Sequence, residues 1–284
     1  MKHEPLGESG LSYAPCRYGM SRVTFRGPRR DLNGRYISFI GGTETYGKFI
    51  EHPFPTLVET ALGEKCVNFG VVNAGIDVFH NDPTILAAAH DAELTVVQIM
   101  GAHNLSNRFY KVHPRRNDRF LSASTVMKAL FSDVDFADFS FTRHLLGALY
   151  TRAPERFEIL RSELEQAWLA RMKSLIAGIG DNVVLLWLSD SPLTDDPWME
   201  RPNPLRADPL FVTRSMVEQL RPLVRDVIEA QPSAEALSRG TEGMVFPLLN
   251  NEAATEMLGV AAHEEAAARI APALRRLMGK PTRH

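Results

Sequence analysis

The sequence predicts a single α/β domain over residues 1–284, a three-layer α/β/α sandwich around a mostly parallel sheet. Two observations predict it. Apolar, β-branched and aromatic runs of strand length recur at 36–40, 66–72, 94–100 and 183–188, with helical periodicity between them. Strands alternating with helices at this spacing make a parallel sheet covered on both faces. With 44% hydrophobic residues among 284, the chain can fill a core of that size.

Each element has its own signal. Residues 1–35 are rich in Gly, Pro and Arg, including Arg22, Arg26, Arg29 and Arg30, and predict a solvated N-terminal arm. The stretch 36–47, YISFIGGTETYG, reads as a strand, a sharp Gly41-Gly42 turn and a helix start where Thr43 and Thr45 offer hydroxyls. An amphipathic helix at 53–62 and a second strand at 66–72 come next. Asn81-Asp82-Pro83 is a helix start, a capping side chain followed by proline, and 94–100 is the third strand. Residues 105–178 predict a largely helical insertion, entered through the loop NRFYKVHPRRNDRF. Its stripe Phe157, Leu160, Leu164, Trp168, Met172 suits a core or a dimer face. The fourth strand, 183–188, runs into a proline-rich loop at 189–210 that could serve as a lid. A helix at 211–220, a short fifth strand at 224–229 and helices at 250–259 and 263–278 complete the chain.

Composition narrows the function classes. A formal net charge of −2 gives no global field for nucleic acid or an anionic membrane, and no nucleic-acid partner is expected. No apolar run is long enough to span a bilayer, and MKHEPLGESG lacks the apolar core of a signal peptide, so a cytoplasmic protein is expected. Cys16 and Cys66 stand far apart and read as reduced thiols. No His or Cys spacing suits a metal, and no three-glycine fingerprint suits a dinucleotide, so neither metal nor cofactor is expected.

Three loops leave the sheet at its presumed carboxyl edge, where open α/β sheets bind ligands: GGTETYG, GAHN at 101–104 and SDSP at 189–192. A glycine turn, hydroxyls and a helix N-terminus make a place for a nucleophile or an anion. The basic loop carries Arg108, Lys111, His113, Arg115, Arg116 and Arg119 among Phe109, Tyr110 and Phe120. Guanidinium groups suit carboxylate, phosphate or sulfate. Asp118, Asp133 and Asp135 offer the same arginines partners within the chain.

The order of these motifs resembles the SGNH (GDSL-type) hydrolases, serine esterases and acetyltransferases on a flavodoxin-like sheet. FIGGTETYG matches their strand-Gly-Asp-Ser block, with Thr43 at the nucleophile and Gly42 at the aspartate. NFGVVNAG matches the Asn-x-Gly block at Asn68, Gly70 and Gly75. GAHN matches Gly-x-Asn-Asp, with His103 at the asparagine and Asn104 one place later. VAAHEEAAARIA puts His263 at the histidine and Val260 where the orienting acid stands. The resemblance covers residues 36–104 and 255–275. It implies a catalytic pair of Thr43 and His263, a third member among Asp190, Asp195 and Glu256, and oxyanion contacts from Gly70, His103 and Asn104. Glu44 and Thr45 in the turn, with Arg115, Arg116 and Arg119 of the basic loop, are the candidate substrate contacts. The implied activity is that of an esterase or acyltransferase on a small molecule that could be anionic, and Thr43→Ala would abolish it. Two readings of other classes stay open: a group transferase holding phosphate or sulfate at the GGTETYG turn, and an inactive scaffold that binds a ligand or forms a homo-oligomer. More loosely, the whole chain resembles an alphaproteobacterial family of this length.

Overall fold

A computed structural model of the protein describes residues 10–195 and 204–279. Among them, seven strands form: β1 (Ile37–Gly41), β2 (Cys66–Gly70), β3 (Leu94–Gln98), β4 (Tyr110–His113), β5 (Arg116–Ala123), β6 (Val183–Trp187) and β7 (Asp226–Glu229). Five of them make one parallel sheet in the order β2-β1-β3-β6-β7. With β4 and β5 set aside as a separate antiparallel ribbon, this is the doubly wound 2-1-3-4-5 order of flavodoxin-like sheets. The expected fold class holds.

The strands are buried on both faces, which is why they read as continuous apolar runs. Ile37 and Phe39, Leu94 and Val96, and Val184, Leu186 and Leu188 point to one layer, while Ile40, Val97 and Leu185 point to the other. Two polar residues survive inside because they satisfy each other. The Ser38 and Thr95 hydroxyls lie 2.6 Å apart across β1 and β3, and Thr95 also donates to the Ala89 carbonyl at 2.7 Å.

The helices are α1 (Thr43–Tyr46), α2 (Phe54–Leu62), α3 (Ile76–His80), α4 (Pro83–His90), α5 (Thr125–Leu130), α6 (Thr142–Arg152), α7 (Pro154–Ile179), α8 (Arg214–Leu220), α9 (Ala234–Ser238), α10 (Asn251–Thr255) and α11 (Val260–Met278). On one face α2 packs against α11; on the other, α3 and α4 pack against α7. The start of α4 is the one the sequence marks: the Asp82 carboxylate accepts from the Thr84 and Ile85 N–H groups at 3.1 and 3.3 Å. The α7 stripe of Phe157, Leu160, Leu164, Trp168 and Met172 is wholly buried in this chain, so it is core and not a dimer face.

Three expectations change. The basic loop is not a loop: it folds as the β4–β5 ribbon, whose register shifts around Val112 hide the strand alternation from the sequence. The described part of the N-terminal arm is largely exposed but is pinned to the domain. Tyr18, Val23 and Phe25 enter the core, and the buried Arg26 guanidinium donates to the carbonyls of Gly47 at 2.6 Å and Glu51 at 2.8 Å. Of the expected lid, 196–203 lie outside the described residues, while Pro204–Arg206 form a 3-10 turn.

Candidate active site

The carboxyl ends of β1, β3 and β6 open into a cavity of about 830 Å³, at the β1/β3 point where the strand order reverses. Its wall includes Thr43 and Glu44 after β1, His103 and Asn104 after β3, Asp190 after β6, and Arg143 of α6. Asp208 and Glu256 come from the segments around it.

The turn that presents Glu44 is held by one acceptor. Gln98 Oε1 receives the N–H of Gly42 at 3.1 Å, the N–H of Thr45 at 3.2 Å and the Thr45 hydroxyl at 2.6 Å. Gly41 has to be glycine here, because a Cβ would sit 2.1 Å from Thr45 Oγ1. Asn68 fastens the far side, donating to the Thr45 carbonyl at 2.7 Å. Thr45 is therefore a buried structural residue and does not line the cavity.

Thr43 and His263 both stand at this turn's neighbourhood, but each has other partners. The Thr43 hydroxyl donates to Asn73 Oδ1 at 3.2 Å and accepts the Asn73 N–H at 3.0 Å. Asn73 is an amide and cannot take a proton as a base. His263, in the first turn of α11, is 1% exposed, and its Nδ1 accepts the Phe54 N–H at 3.2 Å. An acceptor at Nδ1 puts the neutral ring's hydrogen on Nε2. Nε2 lies 3.3 Å from Glu44 Oε2, off the line of a formed hydrogen bond, and has no other partner among the described residues. The expected nucleophile–base contact is thus replaced by a histidine–carboxylate contact. The physical reason is the Phe54 amide, which occupies the nitrogen that an orienting acid would need.

The remaining candidates divide. Gly70 is unavailable as an oxyanion donor, because its N–H is taken by Asn68 Oδ1 at 2.8 Å. The Asn-x-Gly spacing, which lets an Asn side chain reach the backbone two residues on, was the sequence signal for this. Asn104 lines the cavity with Oδ1 accepting the Thr142 hydroxyl at 2.7 Å, so its amide N–H groups are the end left for a ligand. His103 also lines it; burial, and secondarily the Arg143 charge, hold its pKa well below 6.5, so the ring is neutral. Asp195 accepts the Ser215 N–H at 2.8 Å and is not in the cavity wall, whereas Asp190 and Glu256 are. Arg115 lines neither this cavity nor the cleft beside the ribbon, and Arg116 and Arg119 line that second cleft.

Sequence reasoning missed Asp208. Its carboxyl is pushed up to about 6, chiefly by burial, with Arg143 pulling the other way and the charges of Glu44 and Asp190 adding to the rise. Its side chain is also 65% accessible in the cavity wall, so solvent screening moderates that rise. Glu44 thus stands beside an imidazole N–H, and Asp208 among other acids.

The chain belongs to the family described as Domain of unknown function (DUF6473), whose model matches residues 1–278. That match carries no activity and no lineage. No curated protein matches the chain. Among solved structures, it is similar to the lipase Lip_vut3 from a goat rumen metagenome, at 12% identity and a TM-score of 0.42, covering 87% of this chain and 98% of that one. It is also similar to a lipase/acylhydrolase from Enterococcus faecalis, at 15% identity and a TM-score of 0.41, covering 88% of this chain and 100% of that one. Likenesses this distant do not bear on chemistry.

Proposed function

We propose that the protein is a hydrolase of small ester-type compounds that works through carboxylates in place of a hydroxyl nucleophile. The observation that carries this reading is the contact between Glu44 and His263, with the imidazole hydrogen fixed on the nitrogen that faces the carboxylate. Glu44 takes a proton from water as the water oxygen attacks the acyl carbon. Charge developing on the acyl oxygen is met by the Asn104 amide and the Arg143 guanidinium, both in the cavity wall. When the tetrahedral species collapses, Asp208 gives its proton to the departing alkoxide, leaving an acid and an alcohol. His263 keeps its Nε2 hydrogen throughout and steadies the Glu44 carboxylate.

The test is a panel of small esters, with and without a carboxylate or phosphate on the acyl or alcohol part. Glu44→Gln is expected to lower kcat by roughly 10²–10⁴-fold, the usual worth of a positioned base. Thr43→Ala is expected to keep activity within a few-fold of the parent. The opposite pattern, with Thr43→Ala inert and Glu44→Gln active, would return the nucleophile to Thr43. No hydrolysis across the panel by a folded protein would sink the reading.

A further inference from the structure

A second cleft lies beside the β4–β5 ribbon, and none of its lining residues lines the carboxylate cavity. It measures about 380 Å³ and is walled by His113, Arg116 and Arg119 over Phe120, Leu121 and Phe139. Its charge is only partly compensated. Arg119 has no carboxylate partner among the described residues; its guanidinium lies 4.3 Å over the Phe141 ring, which fixes its position without neutralising it. Arg116 has only Asp118, at 3.6 Å, and that carboxylate also receives the Asn73 amide at 3.5 Å. His113 Nδ1 accepts the Arg115 N–H at 3.2 Å, so the ring's hydrogen is on Nε2, a third donor for the cleft. Three donors, two of them cationic guanidinium groups, stand here in a chain whose net charge is −2. The floor under them is apolar, since Phe120 is buried and Leu121 is half exposed.

We infer that this cleft binds a small organic anion, with a phosphate or carboxylate head on the arginines and an aromatic or aliphatic body on the Phe120, Leu121 and Phe139 floor. Planar guanidinium groups match both heads, and the floor rewards a body that a bare inorganic ion lacks. The site does not depend on the hydrolase reading: its residues are not in the carboxylate cavity, and it stands if no ester is turned over.

Binding of phenyl phosphate, benzoate and inorganic phosphate to the full chain, followed by calorimetry at low salt, tests this. Phenyl phosphate is expected to bind saturably and at least tenfold more tightly than inorganic phosphate. Arg116→Ala/Arg119→Ala is expected to weaken phenyl phosphate at least tenfold, with an unchanged circular dichroism spectrum. Glu44→Gln is expected to bind it as the parent does. Leu121→Ser, uncharged and on an exposed position, reads the floor and not the arginines, and is expected to weaken phenyl phosphate while leaving inorganic phosphate unchanged. The inference is overturned if phenyl phosphate does not bind, if the double arginine variant binds it equally, or if binding is lost in Glu44→Gln and kept in the arginine variant. Binding of all three probes with equal affinity would also overturn it, since the apolar floor would then do nothing.

Discussion

A single backbone amide decides what His263 can do. With the Phe54 N–H on Nδ1, the ring turns a hydrogen at Nε2 toward Glu44 and cannot accept one there, so it does not serve as a base. His263→Phe removes both contacts and strands the buried Phe54 amide, which is expected to cost about 1–3 kcal/mol in urea unfolding. The same variant is expected to lower kcat in the fraction that stays folded, because Glu44 loses the neighbour that positions it. Unfolding alone would lower the amount of active protein and leave kcat per folded molecule unchanged. Asp208 makes a second prediction at this scale. Its folded value of about 6 lies above 3.8, so the folded state holds the proton more tightly than the unfolded chain. The resulting stabilisation is full below pH 3.8 and lost as pH rises through about 6. Asp208→Asn is therefore expected to melt higher than the parent at pH 8, and the two should converge below pH 3.8. As the proton donor, Asp208 should also set a fall in kcat/KM above pH 6 that the variant lacks. These features were not legible in the sequence. His263 could be placed at the start of the last helix, but its tautomer depends on a residue 209 positions away. Asp208 sat in a proline-rich passage with nothing to mark it.

At the scale of elements, α1 is only four residues long, and Gln98 and Asn68 brace its single turn of backbone hydrogen bonds. Gln98→Leu leaves the Gly42 and Thr45 amides and the Thr45 hydroxyl without their acceptor. About 3 kcal/mol of stability should be lost in chemical denaturation, and activity should fall further than stability explains, because Glu44 is carried on that turn. A variant as stable and active as the parent would show that α1 is held some other way. The strands of the main sheet were legible because burial on both faces makes each a short apolar run, as in VVLLW of β6. The ribbon was not. Along β5 the outer Arg116, Arg119 and Leu121 are interrupted by buried Asn117, Asp118 and Phe120, so burial does not alternate residue by residue and two of the buried positions are polar.

In the whole molecule, the two sides of the sheet are unequal. One carries the long helix α7 with the ribbon and α3, α4 and α6, and the other carries α2 and α11. Trp168 anchors the larger side, fully buried, with its indole N–H donating to the Met100 carbonyl at 2.7 Å. Trp168→Ala is expected to cost roughly 3–5 kcal/mol, read as a lower urea midpoint of a single transition. Dissociation of a folded oligomer without unfolding would contradict the placement of that stripe in the core. The smaller side holds a different consequence. The Phe54 amide opens α2, while the His263 that accepts it stands in α11, 209 positions further along the chain. The imidazole therefore reaches Glu44 only when α2 and α11 are docked on each other, and this wall of the cavity is built by a contact between segments far apart in the sequence.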